Sequence, residues 1–438
     1  MRACVLGTWH LGSVTSACLA ELGHTVIGMD PSRQRVEDLN RGVPPLYEPG
    51  LEELLARNLT ARRLRYTTDL RAAARDAESV IIAYDTPVND QDEVDLTGIL
   101  AAAQAVAPHL DQGATLIVSS QVPVGTCERL ADAVRRANPD LAFGIACLPE
   151  NLRLGQAVQR FLAPEFLVIG AEDAAVQERV EALLARIDAP KLRVGLRTAE
   201  MTKHAINAYL ATSISLINEI ANLCDLVGAD AFQVAEALRL DSRIGPGAPL
   251  TPGLGFGGGT LARDLQVLSR LGKDNAYEPH LIDGVLAVNR RQNERILSRL
   301  KGHYRSLHGL TVGVLGLTYK PETSTLRRSP SLEMIRALTA EGAAVKVYDP
   351  RADAREVEQH RHLFARYGDP YAVAEGSQAL ILATGWPQFK ELDFRRIRSL
   401  VANPLFLDAQ NMLDPDKMSR LGFIYQGVGR ARPRARTP

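Results

Sequence analysis

Val5-Leu6-Gly7-Thr8-Trp9-His10-Leu11-Gly12, followed by His24-Thr25-Val26-Ile27-Gly28-Met29-Asp30, decides the fold. An apolar run enters a turn bounded by two glycines, an amphipathic stretch follows, and a second apolar run ends in a carboxylate. This is the pattern of a nucleotide-binding βαβ unit. The turn would present the N-terminus of the first helix to a pyrophosphate. Asp30 stands 18 residues after Gly12, where a carboxylate grips the adenosine ribose 2′-OH, and this favours NAD over NADP. One position departs from G-x-G-x-x-G. Trp9 takes the middle place, so the pyrophosphate must ride away from the backbone or the indole must swing aside. The expected cofactor contacts are Gly7, Trp9, His10, Leu11, Gly12 and Asp30.

Outward from this unit, strand and helix patterns alternate over the first 195 or so residues. Further strands are expected at Ser79–Ala83, Thr115–Ser119, Gly144–Leu148 and Phe166–Gly170, in a parallel, doubly wound sheet. From Thr198 to Arg299 helical periodicity takes over. Ile206, Tyr209, Leu210, Ile217, Ile220 and Leu223 recur at helical spacing and are expected in a core. A helix this long and apolar is also a good dimerisation element. From Leu310 the alternation returns, with strands at Leu310–Leu315, Ala344–Tyr348, Ala379–Ala383 and Leu405–Leu407. The two ends repeat each other weakly: Val314-Leu315-Gly316 leads to Val347-Tyr348-Asp349-Pro350 as Val5-Leu6-Gly7 leads to Gly28-Met29-Asp30-Pro31. The expected fold class is α/β: two Rossmann-like doubly wound domains, 1–197 and 301–430, joined by a helical connector and dimerisation region, 198–300. The basic tail 431–438, with Arg432, Arg434 and Arg436, is expected to be disordered.

Composition narrows the function. Of 438 residues, 51 are Lys or Arg and 51 are Asp or Glu. A net charge of zero gives no support for a nucleic-acid or membrane-surface binder. No apolar run is read as a membrane span, and the chain enters a strand at once, so no signal peptide is expected. Five scattered cysteines without a CxxC pair read as reduced thiols in the cytoplasm, with no metal site.

The ordered set of further motifs resembles the UDP-glucose/GDP-mannose dehydrogenase family. It comprises Glu48-Pro49-Gly50-Leu51, Thr86-Pro87, Val122-Pro123-Val124-Gly125-Thr126, Pro149-Glu150, Lys203 and Asn207, and Gly253-Leu254-Gly255-Phe256-Gly257-Gly258. It continues through Gly316-Leu317-Thr318-Tyr319-Lys320-Pro321, Arg327 and Asp408 with Asn411 to Gly427-Val428-Gly429-Arg430. The resemblance runs from residue 1 to about 430. It implies a soluble homodimer that takes a UDP- or GDP-linked sugar and NAD. It adds Thr86, Pro87, Gln121 and Arg327 to the cofactor contacts. It also implies substrate contacts at Glu150, Asn151, Leu152, Arg153, Arg243, Phe256, Gly257, Gly258 and Lys320. Members usually oxidise a sugar C6 alcohol twice, and the second step runs through a thioester on a cysteine.

That cysteine is missing. The family's G-F-G-G-x-C-x-x-K-D reads Gly255-Phe256-Gly257-Gly258-Gly259-Thr260-Leu261-Ala262-Arg263-Asp264, with Thr260 at the nucleophile position. A hydroxyl yields far less anion at neutral pH than a thiol. Other positions change with it. The second acid of P-E-F-L-x-E-G is Leu154, the threonine of S-T-V-P-V-G-T is Gln121, and the lysine of K-D is Arg263. The expected catalytic residues are Lys203, Asn207, Asp264, Glu150 and Thr260. Glu200, Lys203 and Asn207 share a helix face. Lys203 serves as base or as the cation that holds the developing alkoxide, Asn207 donates a neutral hydrogen bond, and Asp264 holds Lys203 or acts through water. His10 and His204 also read as structural. The expected reaction is one two-electron oxidation, secondary alcohol to ketone being preferred, in the biosynthesis of an unusual sugar. A GDP-linked octose is one such substrate. Three alternatives remain: a four-electron UDP-sugar 6-dehydrogenase by a thiol-free route, an NAD-dependent epimerase, and a non-catalytic nucleotide-sugar binder.

Overall fold

The computed structural model describes residues 1–87, 94–150 and 152–430. The expected tail 431–438 and the expected substrate contact Asn151 lie outside the described residues. Two compact units divide the chain, Met1–Ile206 and Asn207–Pro438.

The first unit holds eight strands: β1 (Arg2–Leu6), β2 (Thr25–Met29), β3 (Leu64–Thr67), β4 (Ser79–Ile82), β5 (Thr115–Val118), β6 (Gly144–Cys147), β7 (Leu167–Ala171) and β8 (Lys191–Val194). Their order is β3-β2-β1-β4-β5-β6-β7-β8. All neighbours run parallel except β6 and β7, which pair antiparallel; the expectation of a wholly parallel sheet is corrected there. The second unit holds β9 (Thr311–Leu315), β10 (Ala344–Tyr348), β11 (Ala365–Arg366), β12 (Ala379–Leu382), β13 (Leu405–Asp408) and β14 (Ile424–Gly427), ordered β11-β10-β9-β12-β13-β14 and parallel throughout. Its order repeats the first six strands of the other sheet, so the weak sequence repeat corresponds to two sheets of Rossmann order. In each unit apolar clusters cover both sheet faces, which is why the inner strands read as unbroken apolar runs. The strands that the sequence pattern missed, β3, β8, β11 and β14, are the four sheet edges. They are short and partly exposed, with burial alternating or absent.

A 32-residue helix, Leu196–Val227, carries the chain from one unit into the next. It is apolar enough over 18 residues to pass for a membrane span by length and composition alone, with 39% of that window buried, but Asn207, Asn218 and Glu219 interrupt it, in keeping with the sequence reading of no spanning run. The stripe expected in the core is corrected. Only Ile217 is fully buried; Tyr209 is 60% and Leu223 53% exposed, and Leu216, Leu226 and Val227 join them on the outside. The helix buries its small residues instead: Ala208 and Ala211 pack with Phe256 and Leu265, and Ala221 with Ala231 and Val428.

Candidate active-site residues

In the first unit the expected cofactor residues gather at the C-terminal ends of β1, β2, β4 and β5, beside the point where the strand order reverses between β1 and β4. Gly12 lies so close to the turn before it that a Cβ there would sit 1.7 Å from the Gly7 carbonyl oxygen. No other residue fits. The helix His10–Glu21 begins at Trp9, which offers no side-chain cap. The first intrahelical bond runs from the Ser13 amide to the Trp9 carbonyl, 2.9 Å. The amides of His10, Leu11 and Gly12 therefore point out of the helix at its positive end. The Trp9 indole is turned outward, 39% exposed, with the Arg35 guanidinium 5.0 Å from its ring centre. A backbone closed by Gly12, with an indole swung aside, fits a pyrophosphate on those amides.

Asp30 is almost wholly buried. One oxygen accepts from the Thr8 amide (2.9 Å), the Thr8 hydroxyl (3.1 Å) and Arg35 Nη1 (2.8 Å), and the other from the Ser32 amide (3.0 Å). Burial alone would raise its pKa, but the Thr8 and Ser32 amides and Arg35 outweigh it and hold the carboxyl below its ordinary value. Asp30 thus locks the glycine turn to β2, and Arg35, absent from the sequence-based list, covers it. The second unit repeats the device: Asp349 accepts from the Leu317 and Thr318 amides and from the Trp386 indole. Thr86 and Gln121 are joined directly, the Thr86 hydroxyl donating to the Gln121 carbonyl at 2.8 Å. Pro87 is exposed.

Lys203 is 9% exposed, and its Nζ lies 3.8 Å from Glu150 Oε1. The other Glu150 oxygen accepts from the Leu152 amide at 2.6 Å. Arg153 is exposed, and Leu152 packs partly against the core. Glu200 takes a different part from the one its spacing suggests. It turns from Lys203 to the start of the helix Thr126–Ala137 and accepts from the Gly125 amide (2.6 Å) and the Cys127 amide (2.7 Å). His204 donates to the same loop, its Nε2 2.9 Å from the Val122 carbonyl oxygen, which can only accept. His10 Nε2 meets Glu48 at 2.9 Å.

In the second unit Asn207 Nδ2 donates to Asp264 Oδ2. Arg263 Nε stands 3.5 Å from the other oxygen of this fully buried carboxylate. Lys203 and Asn207 are one turn apart on the continuous helix Leu196–Val227. Thr260 is exposed and starts the helix Leu261–Asp274 without a side-chain cap bond. The glycine-rich loop before it is laid against the rest of its unit. A Cβ on Gly257 would meet the Arg328 carbonyl at 2.6 Å and the Pro330 ring at 2.4 Å, and one on Gly258 the Tyr319 ring at 2.7 Å. Side-chain amides hold this loop. Asn218 accepts from the Gly253 amide, Gln292 donates to the Gly253 carbonyl, Asn289 bonds both backbone groups of Phe256, and Asn411 donates to the Pro252 carbonyl. Asn289 and Gln292 went unnoticed in the sequence; their only signal is an amide pair three residues apart on an otherwise amphipathic helix.

Arg327 is exposed, with its guanidinium beside Gly259. Lys320 Nζ lies 5.7 Å from the Tyr319 ring centre. Arg243 is exposed and paired with Asp241 at 2.6 Å. All five cysteines are free and buried, and none lies in the loop before Asp264. Burial pushes the Cys4 thiol up to about 12 and that of Cys224 upward too, and the hydrogen bond to Cys147 raises Cys127.

Comparison with known proteins gives a consistent result along the chain. Residues 1–188 match the model of the UDP-glucose/GDP-mannose dehydrogenase family NAD binding domain, 197–291 that family's central domain and 313–415 its UDP binding domain. A UDP-glucose 6-dehydrogenase of Pseudomonas aeruginosa is 38% identical over 99% of this chain and 98% of its own. The UDP-glucose 6-dehydrogenase TuaD of Bacillus subtilis is 36% identical over 100% of this chain and 95% of its own. Among solved structures, a UDP-glucose dehydrogenase from Pyrobaculum islandicum superposes with a TM-score of 0.91 at 35% identity, covering 98% of both chains.

Proposed function

This chain belongs to the UDP-glucose/GDP-mannose dehydrogenase family, NAD-dependent enzymes acting on a CH–OH group of a nucleotide sugar, and on that premise we propose that it performs one two-electron oxidation and stops at the carbonyl. The observation that carries the proposal is Thr260, an exposed hydroxyl at the place of the thioester-forming thiol. The buried cysteines lie outside its loop and offer no substitute. Leu154 and Gln121 replace polar partners of the second oxidation, in keeping with this reading.

Bound NAD supplies the hydride acceptor. The amides of His10, Leu11 and Gly12 hold its pyrophosphate in this proposal, with Thr86, Pro87, Gln121 and Arg327 as further contacts. Lys203, held near Glu150, sits at the reacting hydroxyl: neutral, it takes the proton; charged, it stabilises the alkoxide. Asn207, oriented by Asp264, donates to the same oxygen. Leu152, Arg153, Arg243, Phe256, Gly257, Gly258 and Lys320 hold the nucleotide sugar. A secondary alcohol would leave as a ketone. The curated relatives named above carry UDP in their names, which favours a UDP-linked substrate and lends nothing to a GDP-linked octose. The division into 1–197, 198–300 and 301–430 is part of the proposal. So are a cytoplasmic location and a homodimer built on the helix from about Glu200 to Leu223. The exposed Tyr209, Leu216 and Leu223 support the dimer.

The test is a panel of UDP- and GDP-linked sugars assayed by NADH absorbance, with mass spectrometry of the product. We expect one NADH per substrate and a product lighter by two hydrogens. Two NADH and a carboxylate would overturn the proposal, as would an isomerised product with no net NADH, or no turnover at all. Lys203→Ala should abolish the reaction, and Thr260→Ala should cost far less. Thr260→Cys should still give one NADH.

A further inference from the structure

Glu48 belongs to none of the roles assigned so far, yet its side chain is completely buried in the first unit. One oxygen accepts from the Ala157 amide at 2.7 Å. The other accepts from the Gly155 amide at 3.0 Å and meets His10 Nε2 at 2.9 Å. A carboxylate already holding two amide N–H groups is an acceptor throughout, so Nε2 carries the hydrogen and donates it. His10 is the first residue of the helix His10–Glu21, between Trp9 and the amides of Leu11 and Gly12. Gly155 and Ala157 close the segment that begins at Glu150, the residue next to Lys203.

We propose that Glu48 is a positioning residue that ties the cofactor loop to the substrate segment 150–157 through His10, so that seating the cofactor orders Glu150 and its neighbours. The proposal rests on the cofactor placement given above. Three donors converge on one buried carboxylate, and two of them are backbone groups of the far segment. Pressure on His10 therefore reaches Gly155 and Ala157 without a flexible intermediate. The Arg153 carbonyl accepts from the Gln156 amide at 2.8 Å and the Glu150 carboxyl from the Leu152 amide at 2.6 Å. Leu152 and Gln156 thus make short local bonds, and Glu48 pins Gly155 and Ala157.

Hydrogen exchange of the full-length enzyme, read by mass spectrometry with NAD as the only ligand, tests this. In the wild type, saturating NAD should slow exchange in peptides covering 8–13 and, about fivefold, in peptides covering 152–160, the equivalent of roughly one net hydrogen bond. His10→Ala removes the link but leaves the Glu48 bonds to Gly155 and Ala157. At saturating NAD it should keep the protection at 8–13 and lose it at 152–160. His10→Gln, whose amide can donate to Glu48, should restore it. Equal protection of 152–160 in His10→Ala would overturn the proposal, and so would a wild type protected at 8–13 alone. No protection at 8–13 in the wild type would instead overturn the cofactor placement.

Discussion

Glu200→Ala separates the role that helical spacing gives this residue from the one its surroundings give it. Spacing makes Glu200 the partner of Lys203, three residues on. In the structure its carboxylate is 2% exposed and accepts the Gly125 and Cys127 amides at 2.6 and 2.7 Å. Alanine would leave both donors without an acceptor inside the unit. Each such group costs about 1–3 kcal/mol, and loss of a negative charge at the start of the helix Thr126–Ala137 adds about 0.3–1 kcal/mol. A central value of about 4.5 kcal/mol lowers the transition of a unit of this size by roughly 9–18 °C. Glu200→Gln should recover less than half of that, because its single oxygen serves one amide while its NH2 group faces the other. Differential scanning calorimetry of the whole chain reads the shift, and turnover is measured well below the transition. An unshifted transition with turnover lost more than about tenfold, or about 1.4 kcal/mol in the barrier, would refute the capping role and return Glu200 to the chemistry.

Two further outcomes follow from the same structure. Asp30→Asn should weaken NAD binding, read by titration calorimetry, and lower stability at neutral pH. The folded carboxyl sits below its ordinary 3.8, so its stabilisation is full above about pH 4 and fades as pH falls toward the depressed value. The gap in unfolding free energy between wild type and variant should therefore narrow on acidification below about pH 4, and a constant gap would contradict the assignment. Replacing Tyr209, Leu216 and Leu223 together by Glu should give a monomer by sedimentation equilibrium at micromolar concentration, since each large apolar side chain buried at an interface contributes about 1.5–3 kcal/mol. An unchanged dimer, or a wild type already monomeric, would remove the helix from the interface.

The inner strands of both sheets were legible because burial on two faces demands apolar runs such as 80–82 and Ala379–Leu382. Edges such as Lys191–Val194 bury one face at most, and their charged residues erase the pattern. The central helix misled for the opposite reason. Its apolar stripe was read as core, but close packing inside the unit is made by Ala208, Ala211 and Ala221, while the large side chains Tyr209, Leu216 and Leu223 stay outside. Motif spacing placed Gly7, Gly12 and Asp30 at one turn, because a tight turn admits few alternatives. It could not show that Asp30 is already engaged by Thr8, Ser32 and Arg35, since those bonds depend on side-chain direction. The Glu48 link to Gly155 and Ala157 spans more than a hundred residues of sequence, and no local pattern reports it.

Under the proposed single oxidation, Thr260 stands on a scaffold that would serve a thiol. It opens the helix Leu261–Asp274, whose first turn carries Asp264, and the glycine loop before it is fixed by Asn218, Asn289 and Gln292. A helix N-terminus lowers the pKa of a thiol and makes thiolate available near neutral pH. The same field acting on a threonine hydroxyl leaves it protonated, because the starting value is too high for a shift of that size to matter. The scaffold that would acidify a nucleophile therefore remains, and the side chain on it cannot use the effect. Asn207 and Asp264, which the proposal places at the reacting hydroxyl, meet each other. In that proposal a carboxylate product would need the thiol with its polar partners, and Thr260, Leu154 and Gln121 stand in their places. Restoring the thiol alone at Thr260 would give an acidified nucleophile with Leu154 and Gln121 still in place of the polar partners of a second oxidation.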